Sequence, residues 1–154
     1  MEITFAIRGQ DGAALDEAQA RAALDAGQLP SDEPYLSGWV RCRHADQSDL
    51  DFEDDLSMLF PDCLGLAAAL RTNGRGELCM ASYFRHYTLI AEDNTVHVYQ
   101  KDADVNGEVA HYPKNEMIEA LAACCGRFAA YAEALTSLDP RWTRLCDIMS
   151  EATN

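Results

Sequence analysis

Each thing this chain lacks removes a class of function. No G-x-x-x-x-G-K-S/T, G-x-S-x-G or H-E-x-x-H occurs, so neither a phosphate cradle, a serine nucleophile elbow nor a zinc-protease helix is signalled. Six cysteines are present (Cys42, Cys63, Cys79, Cys124, Cys125, Cys146) without a single C-x-x-C pair, which removes zinc ribbons and thioredoxin-type redox motifs. Basic residues are scarce: 12 against 26 acidic side chains, a formal charge of −14. A surface of that sign repels phosphate backbones, so nucleic acid is not an expected partner and a basic protein is. No apolar run approaches the roughly 18 residues of a membrane span, so no membrane partner is expected. Met1–Arg8 lacks the basic segment and apolar core of a signal peptide. The expectation is a cytoplasmic protein with reduced, mostly buried cysteines and no cofactor.

What is present suffices for one domain spanning 1–154. At 154 residues and 48% hydrophobic content, a chain can bury roughly 68–70% of its unfolded surface. Glu2–Arg8 alternates Ile3, Phe5 and Ile7 with polar neighbours, the period of a half-buried strand. Ala13–Ala26 is rich in helix formers, with Asp11 a plausible cap and Gly27 as terminator. Tyr35–Ala45 reads as a second strand. Leu56–Phe60 reads as a short turn, followed by a helix that takes Pro61 into its first turn and ends before Asn73-Gly74.

Farther on, Leu78–Ile90 and Thr95–Tyr99 flank the turn residues Glu92-Asp93-Asn94, a hairpin pattern. Asp102–Pro113 reads as a polar loop. Asn115–Leu135 carries the strongest helical stripe, from Met117 and Ile118 through Leu121, Cys124, Cys125 and Phe128 to Leu135. Asp139 and Pro140 then start a last helix whose buried face holds Trp142, Leu145, Ile148 and Met149. The order predicts an α+β fold, a mostly antiparallel sheet packed against helices.

One stretch departs from an ordinary domain. Between Asp46 and Asp55 stand Asp46, Asp49, Asp51, Glu53, Asp54 and Asp55, with Leu50 and Phe52 interleaved and no basic residue. It reads as an acidic loop after the second strand. Asp49, Asp51 and Glu53 match the first positions of a calcium loop, but Asp54 stands where glycine is required and Phe60 where the bidentate glutamate belongs. No metal is expected there. As a binding surface, the carboxylates would relieve their mutual repulsion on a basic partner and Phe52 would add apolar contact. As a solvated loop, Leu50 and Phe52 would instead be pegs into the core. The expected partner-binding residues are Asp46, Asp49, Asp51, Phe52, Glu53, Asp54 and Asp55.

Catalytic pairings are few. Cys42 with His44, or Cys79 with His86, would place a thiol beside an imidazole. Neither lies in a known cysteine-hydrolase signature, and no enzyme is expected. Cys124-Cys125 reads as core filler. Tyr83, Phe84, Arg85, His86 and Tyr87 form an aromatic-basic patch that is usual in sheet packing and also found at interfaces.

With the acidic stretch Asp46–Asp55, the hairpin Leu78–Gln100 and the apolar helix Asn115–Leu135, the chain resembles the cytosolic immunity proteins that accompany bacterial polymorphic and contact-delivered toxins. That resemblance implies a small non-catalytic α+β domain that binds one cognate, basic toxin or effector and occludes its active site with carboxylates. An acidic chaperone for a secreted effector is the alternative, although such chaperones open with a helix and this chain opens with a strand. A small enzyme or ligand-binding domain is the third reading.

Overall fold

Alternation in Glu2–Arg8 places Ile3, Phe5 and Ile7 on one face, and all three are buried. The same device recurs across two antiparallel sheets in the computed structural model, which describes residues 1–153. The first sheet has the order β2-β1-β3-β4, from β1 (Glu2–Arg8), β2 (Ala14–Asp16), β3 (Ser37–Arg43) and β4 (Leu50–Asp55). The second runs β5-β6-β7-β8, from β5 (Arg75–Met80), β6 (Arg85–Glu92), β7 (Thr95–Lys101) and β8 (Asn106–Pro113). Helix α1 (Glu17–Asp25) follows β2, and α2 (Leu56–Thr72) joins the two sheets. The chain closes with α3 (Lys114–Leu138) and α4 (Thr143–Thr153). The α+β class expected from the sequence is therefore observed, with two sheets where one was anticipated.

The core lies where α2 and α3 meet the inner sheet faces. Phe60 of α2 stacks on Phe128 of α3 with centroids 3.8 Å apart and planes 8° from parallel. Phe5 of β1 meets both edge-on, at 5.7 and 5.4 Å. Such aromatic pairs add about 0.5–1.5 kcal/mol each beyond their burial. Four cysteines (Cys42, Cys63, Cys124, Cys125) fill the same interior. Close backbone approach fixes β3 against β1, since a Cβ on Gly38 would collide with the Ala6 carbonyl oxygen and lie 2.9 Å from Leu56 Cδ1.

Several elements differ from the sequence expectation, each for a local reason. The helix expected over Ala13–Ala26 gives up its first residues to β2, and its cap is Asp16, whose side chain accepts from the Gln19 amide at 2.8 Å. Gln19 Oε1 accepts from the Asp16 amide in return, a closed capping box. Proline does not restart α2: one helix runs from Leu56 to Thr72 through Pro61. Asp55 caps it, and burial of Leu56, Leu59 and Phe60 offsets the roughly 3 kcal/mol of an interior proline. The expected loop Asp102–Pro113 contains strand β8, which buries Ala110 and Tyr112. A bulge shifts its register, so that Val98 faces Ala110 while Tyr99 faces Glu108. The extra residue, Val109, breaks the period of two.

Chain direction and side chains together close the open edge of β1. After Asp16 the chain leaves the ladder for α1, and Glu17 Oε1 accepts from the Phe5 amide at 3.1 Å. Arg127 of α3 donates to the Ile3 carbonyl at 2.7 Å and pairs with Glu17 at 2.7 Å. A carboxylate and a guanidinium thus stand where a further strand would pair, one way of blunting an edge.

Candidate partner interface

The acidic stretch is not the loop expected from its charge. Its last six residues form β4, with Phe52 and Asp54 inward and Asp51, Glu53 and Asp55 outward. Register places Arg41 opposite Asp51 and Trp39 opposite Glu53. Arg41 forms a two-pronged bond to Asp51, both contacts at 2.7 Å, and these bonds hold its guanidinium pKa above the usual value. Arg43 reaches Asp49 at 3.2 Å and Glu2 at 3.4 Å. Arg8 pairs with Glu53 at 2.8 Å while lying 5.7 Å over the Trp39 ring. The carboxylate density that looked like a binding loop is largely one half of an ion-pair ladder across the solvent face of the first sheet.

Seven residues were expected to bind a partner, and the structure divides them. Phe52 is fully buried, edge-on to Tyr87 at 4.8 Å, so the apolar contact expected of it goes to the core. Asp54 is 6% exposed and accepts from Ser82 Oγ and from the Asp55 amide. Asp55 caps α2 through the Ser57 amide at 3.0 Å and its hydroxyl at 2.9 Å. Asp49, Asp51 and Glu53 are paired with arginine as described. Asp46 is exposed in the β3–β4 turn, the segment that Gln47 ties to β8.

A different surface gathers at the end of β4. The turn Ala81–Tyr83 between β5 and β6 is followed by Phe84 with φ 53° and ψ 35°, and its side chain is 90% exposed. A bulky residue in the left-handed region is uncommon and costs roughly 1–2 kcal/mol. Tyr83 beside it donates to Glu53 Oε1 at 2.8 Å, the oxygen that also accepts from Arg8. That bond leads the effects that raise the Tyr83 pKa. Ser82 fixes the same turn to Asp54. Tyr35, just ahead of β3, and Met58, in the first turn of α2, are also exposed. Four exposed large apolar side chains therefore come from segments bordering the β4–α2 junction.

Of the carboxylates bordering this apolar group, Glu53 is paired with Arg8, whereas no ion pair to Asp54, Asp55 or Asp62 is found among the described residues. Asp62, in the second turn of α2, has its pKa raised, first by burial and then by the charge of Asp54. The junction thus carries uncompensated negative charge beside exposed aromatic rings. In the sequence, Glu53–Asp55 were only the end of the whole acidic stretch Asp46–Asp55. Phe84 carried no such signal, because its exposure and left-handed backbone follow from the turn that Ser82 and Tyr83 anchor.

The candidate catalytic and metal groups fall elsewhere. Cys42 is buried in the core, and burial pushes its thiol far up, the opposite of an activated nucleophile. His44 lies against Tyr112, ring centroids 6.4 Å apart. Cys124 and Cys125 are both buried, each pushed up to about 12 by desolvation. Cys79 and His86 do face each other across β5 and β6. On β7 and β8, His97 and His111 share Glu108 Oε1 at 3.1 and 3.4 Å. Among the described residues no group of three or more His, Cys, Asp or Glu side chains is arranged to hold a metal ion, and no helix is long and apolar enough to cross a membrane. A depression of about 740 Å³ beside β1 is walled by Thr4, Trp39, Arg41 and the Glu17–Arg127 pair, with no cysteine, serine or histidine. No family model, curated protein or solved structure matches the chain.

Proposed function

We propose that this protein is a cytoplasmic inhibitor of the immunity type, which binds one basic toxin or effector and blocks it sterically and electrostatically, without catalysis of its own. The observation that carries the reading is Phe84, 90% exposed on a left-handed backbone beside carboxylates that have no internal cation. Hot spots combine a large apolar anchor with surrounding polar groups that desolvate on binding. Strained, exposed aromatic residues persist where a surrounding structure over-determines them, and such places cluster at binding sites. The contact surface is the β4–α2 junction, with Phe84, Tyr83, Tyr35 and Met58 as apolar contacts and Asp55 and Asp62 as acceptors for lysine or arginine. Asp46 and the net charge of −14 contribute steering rather than contact.

The test is co-purification of a bacterial partner with tagged protein, comparing the unmodified chain with Phe84→Ala, Asp62→Asn and Asp46→Asn at low and moderate salt. A basic partner that is lost with Phe84→Ala, weakened with Asp62→Asn and retained with Asp46→Asn supports the reading. Its purified toxic activity should then fall in proportion to added inhibitor. A partner held equally by Phe84→Ala removes the junction as the contact surface, and a partner that is acidic removes the inhibitor mechanism.

A further inference from the structure

The outer face of the second sheet carries a Cys–His–Glu row that the partner surface does not use. Cys79 stands directly opposite His86 in the β5–β6 register, and facing residues of an antiparallel pair have Cβ atoms about 4.5–5.5 Å apart. Glu77, two residues before Cys79 and so on the same face, brings Oε2 to 3.4 Å from His86 Nε2. That is close electrostatic contact without hydrogen-bond alignment, and Nε2 has no other partner. Arg75 holds Glu77 at 3.3 Å and offsets its charge. On the far side of His86 the register places Lys101. Among the described residues Cys79 is the one exposed thiol: Cys42, Cys63, Cys124 and Cys125 are buried, and Cys146 is half-buried against Thr136 Oγ1 at 3.1 Å. Strand β5 is an edge of its sheet, so no further strand covers the thiol.

We propose that Cys79 is a thiolation site at which small-molecule disulfides are captured, with His86 as the base and Glu77 as the group that positions it. His86 takes the thiol proton as the sulfur attacks. The Cys79 sulfur attacks one sulfur of the disulfide, a new S–S bond forms, the old one breaks, and the second half leaves as a thiolate that recovers the proton from His86. The disulfide is the oxidant and no other reagent enters. The four core thiols are excluded from this chemistry by burial and Cys146 is half-buried, so Cys79 is the most accessible thiol.

The probe is the chromogenic disulfide dithiobis(nitrobenzoate) with the native full-length chain. One thiol equivalent should react ahead of the rest and map by peptide mass to Cys79, and Cys79→Ser should remove it. At neutral pH its rate should fall several-fold in His86→Asn, checked for native circular dichroism, while the slower thiols keep their rates. Glu77→Gln should lower it by less, and it stands in if His86→Asn does not fold. A first-reacting thiol elsewhere, or a Cys79 rate unchanged in the His86 and Glu77 variants, would overturn the assignment.

Discussion

The side-chain amide of Gln47 pairs with the main chain of His111 as a neighbouring strand would. Its Oε1 accepts from the His111 amide at 2.9 Å, and its Nε2 donates to the His111 carbonyl. One residue of the β3–β4 turn thus ties the first sheet to the exposed edge of β8. Gln47→Ala removes both bonds and is expected to cost about 1–2 kcal/mol. Thermal melts give the loss, and amide exchange at His111 should accelerate more than exchange in the core of β7.

Phe84 sets stability against recognition. Glycine adopts its backbone angles without the penalty an aromatic residue meets, and little buried area is lost because the side chain is exposed. Phe84→Gly is therefore expected to leave folding unharmed or raise stability by up to about 1 kcal/mol. The same change should abolish capture of the proposed partner. Denaturant melts and the co-purification assay read the two effects separately.

Gly38 has no such latitude. A methyl group there meets the Ala6 carbonyl oxygen, which belongs to the β1–β3 ladder and cannot move without breaking it. Gly38→Ala is expected to destabilise by about 1–3 kcal/mol, the range for overpacking. Gly65, with open space around its Cβ position, is the control, and Gly65→Ala should be neutral or stabilising in the same urea titrations.

Two aspartates are expected to respond to acid with opposite sign. Asp102 accepts from the Val105 and Asp104 amides at 2.7 and 2.8 Å and from Gln100, and these bonds hold its pKa below the usual range. A depressed carboxyl stabilises the fold above its unfolded pKa, and that contribution is lost as pH falls through the folded value. Asp62 is raised, so its contribution is favourable below the unfolded pKa and is lost as pH rises through the folded one. At neutral pH, Asp102→Ala should lower Tm and Asp62→Asn should raise it. The Asp62 difference should shrink as pH falls through its raised value and be gone near about 4, where free aspartates protonate, and the Asp102 difference should shrink only below that. Melts across the acid range decide each sign.

Strong periodicity made β1, the β6–β7 hairpin and α3 legible in the sequence. Their buried residues recur at steps of two or of three and four without interruption. Strand β4 was hidden by its own composition. Leu50, Phe52 and Asp54 keep the inward period, but one inward position is an aspartate satisfied by Ser82, a partner 28 residues away. Strand β8 was hidden by its bulge, and β2 by having only three residues. For the proposed interface, the charge drew attention to the whole acidic stretch, and Phe52, the apolar residue expected to meet a partner, is buried in the core instead. Whether a phenylalanine between two strands turns in or out depends on how a remote carboxylate ties down the turn.

The ladder of Arg8, Arg41 and Arg43 against Glu53, Asp51, Asp49 and Glu2 leaves one broad face of the molecule nearly neutral. A total of −14 must then reside mostly on the other sides, and the charge distribution is lopsided. In the field of a positively charged body such a molecule experiences torque as well as attraction, so it turns while it diffuses. Added salt, by shortening the reach of that torque, should slow productive encounters more than it hastens departures.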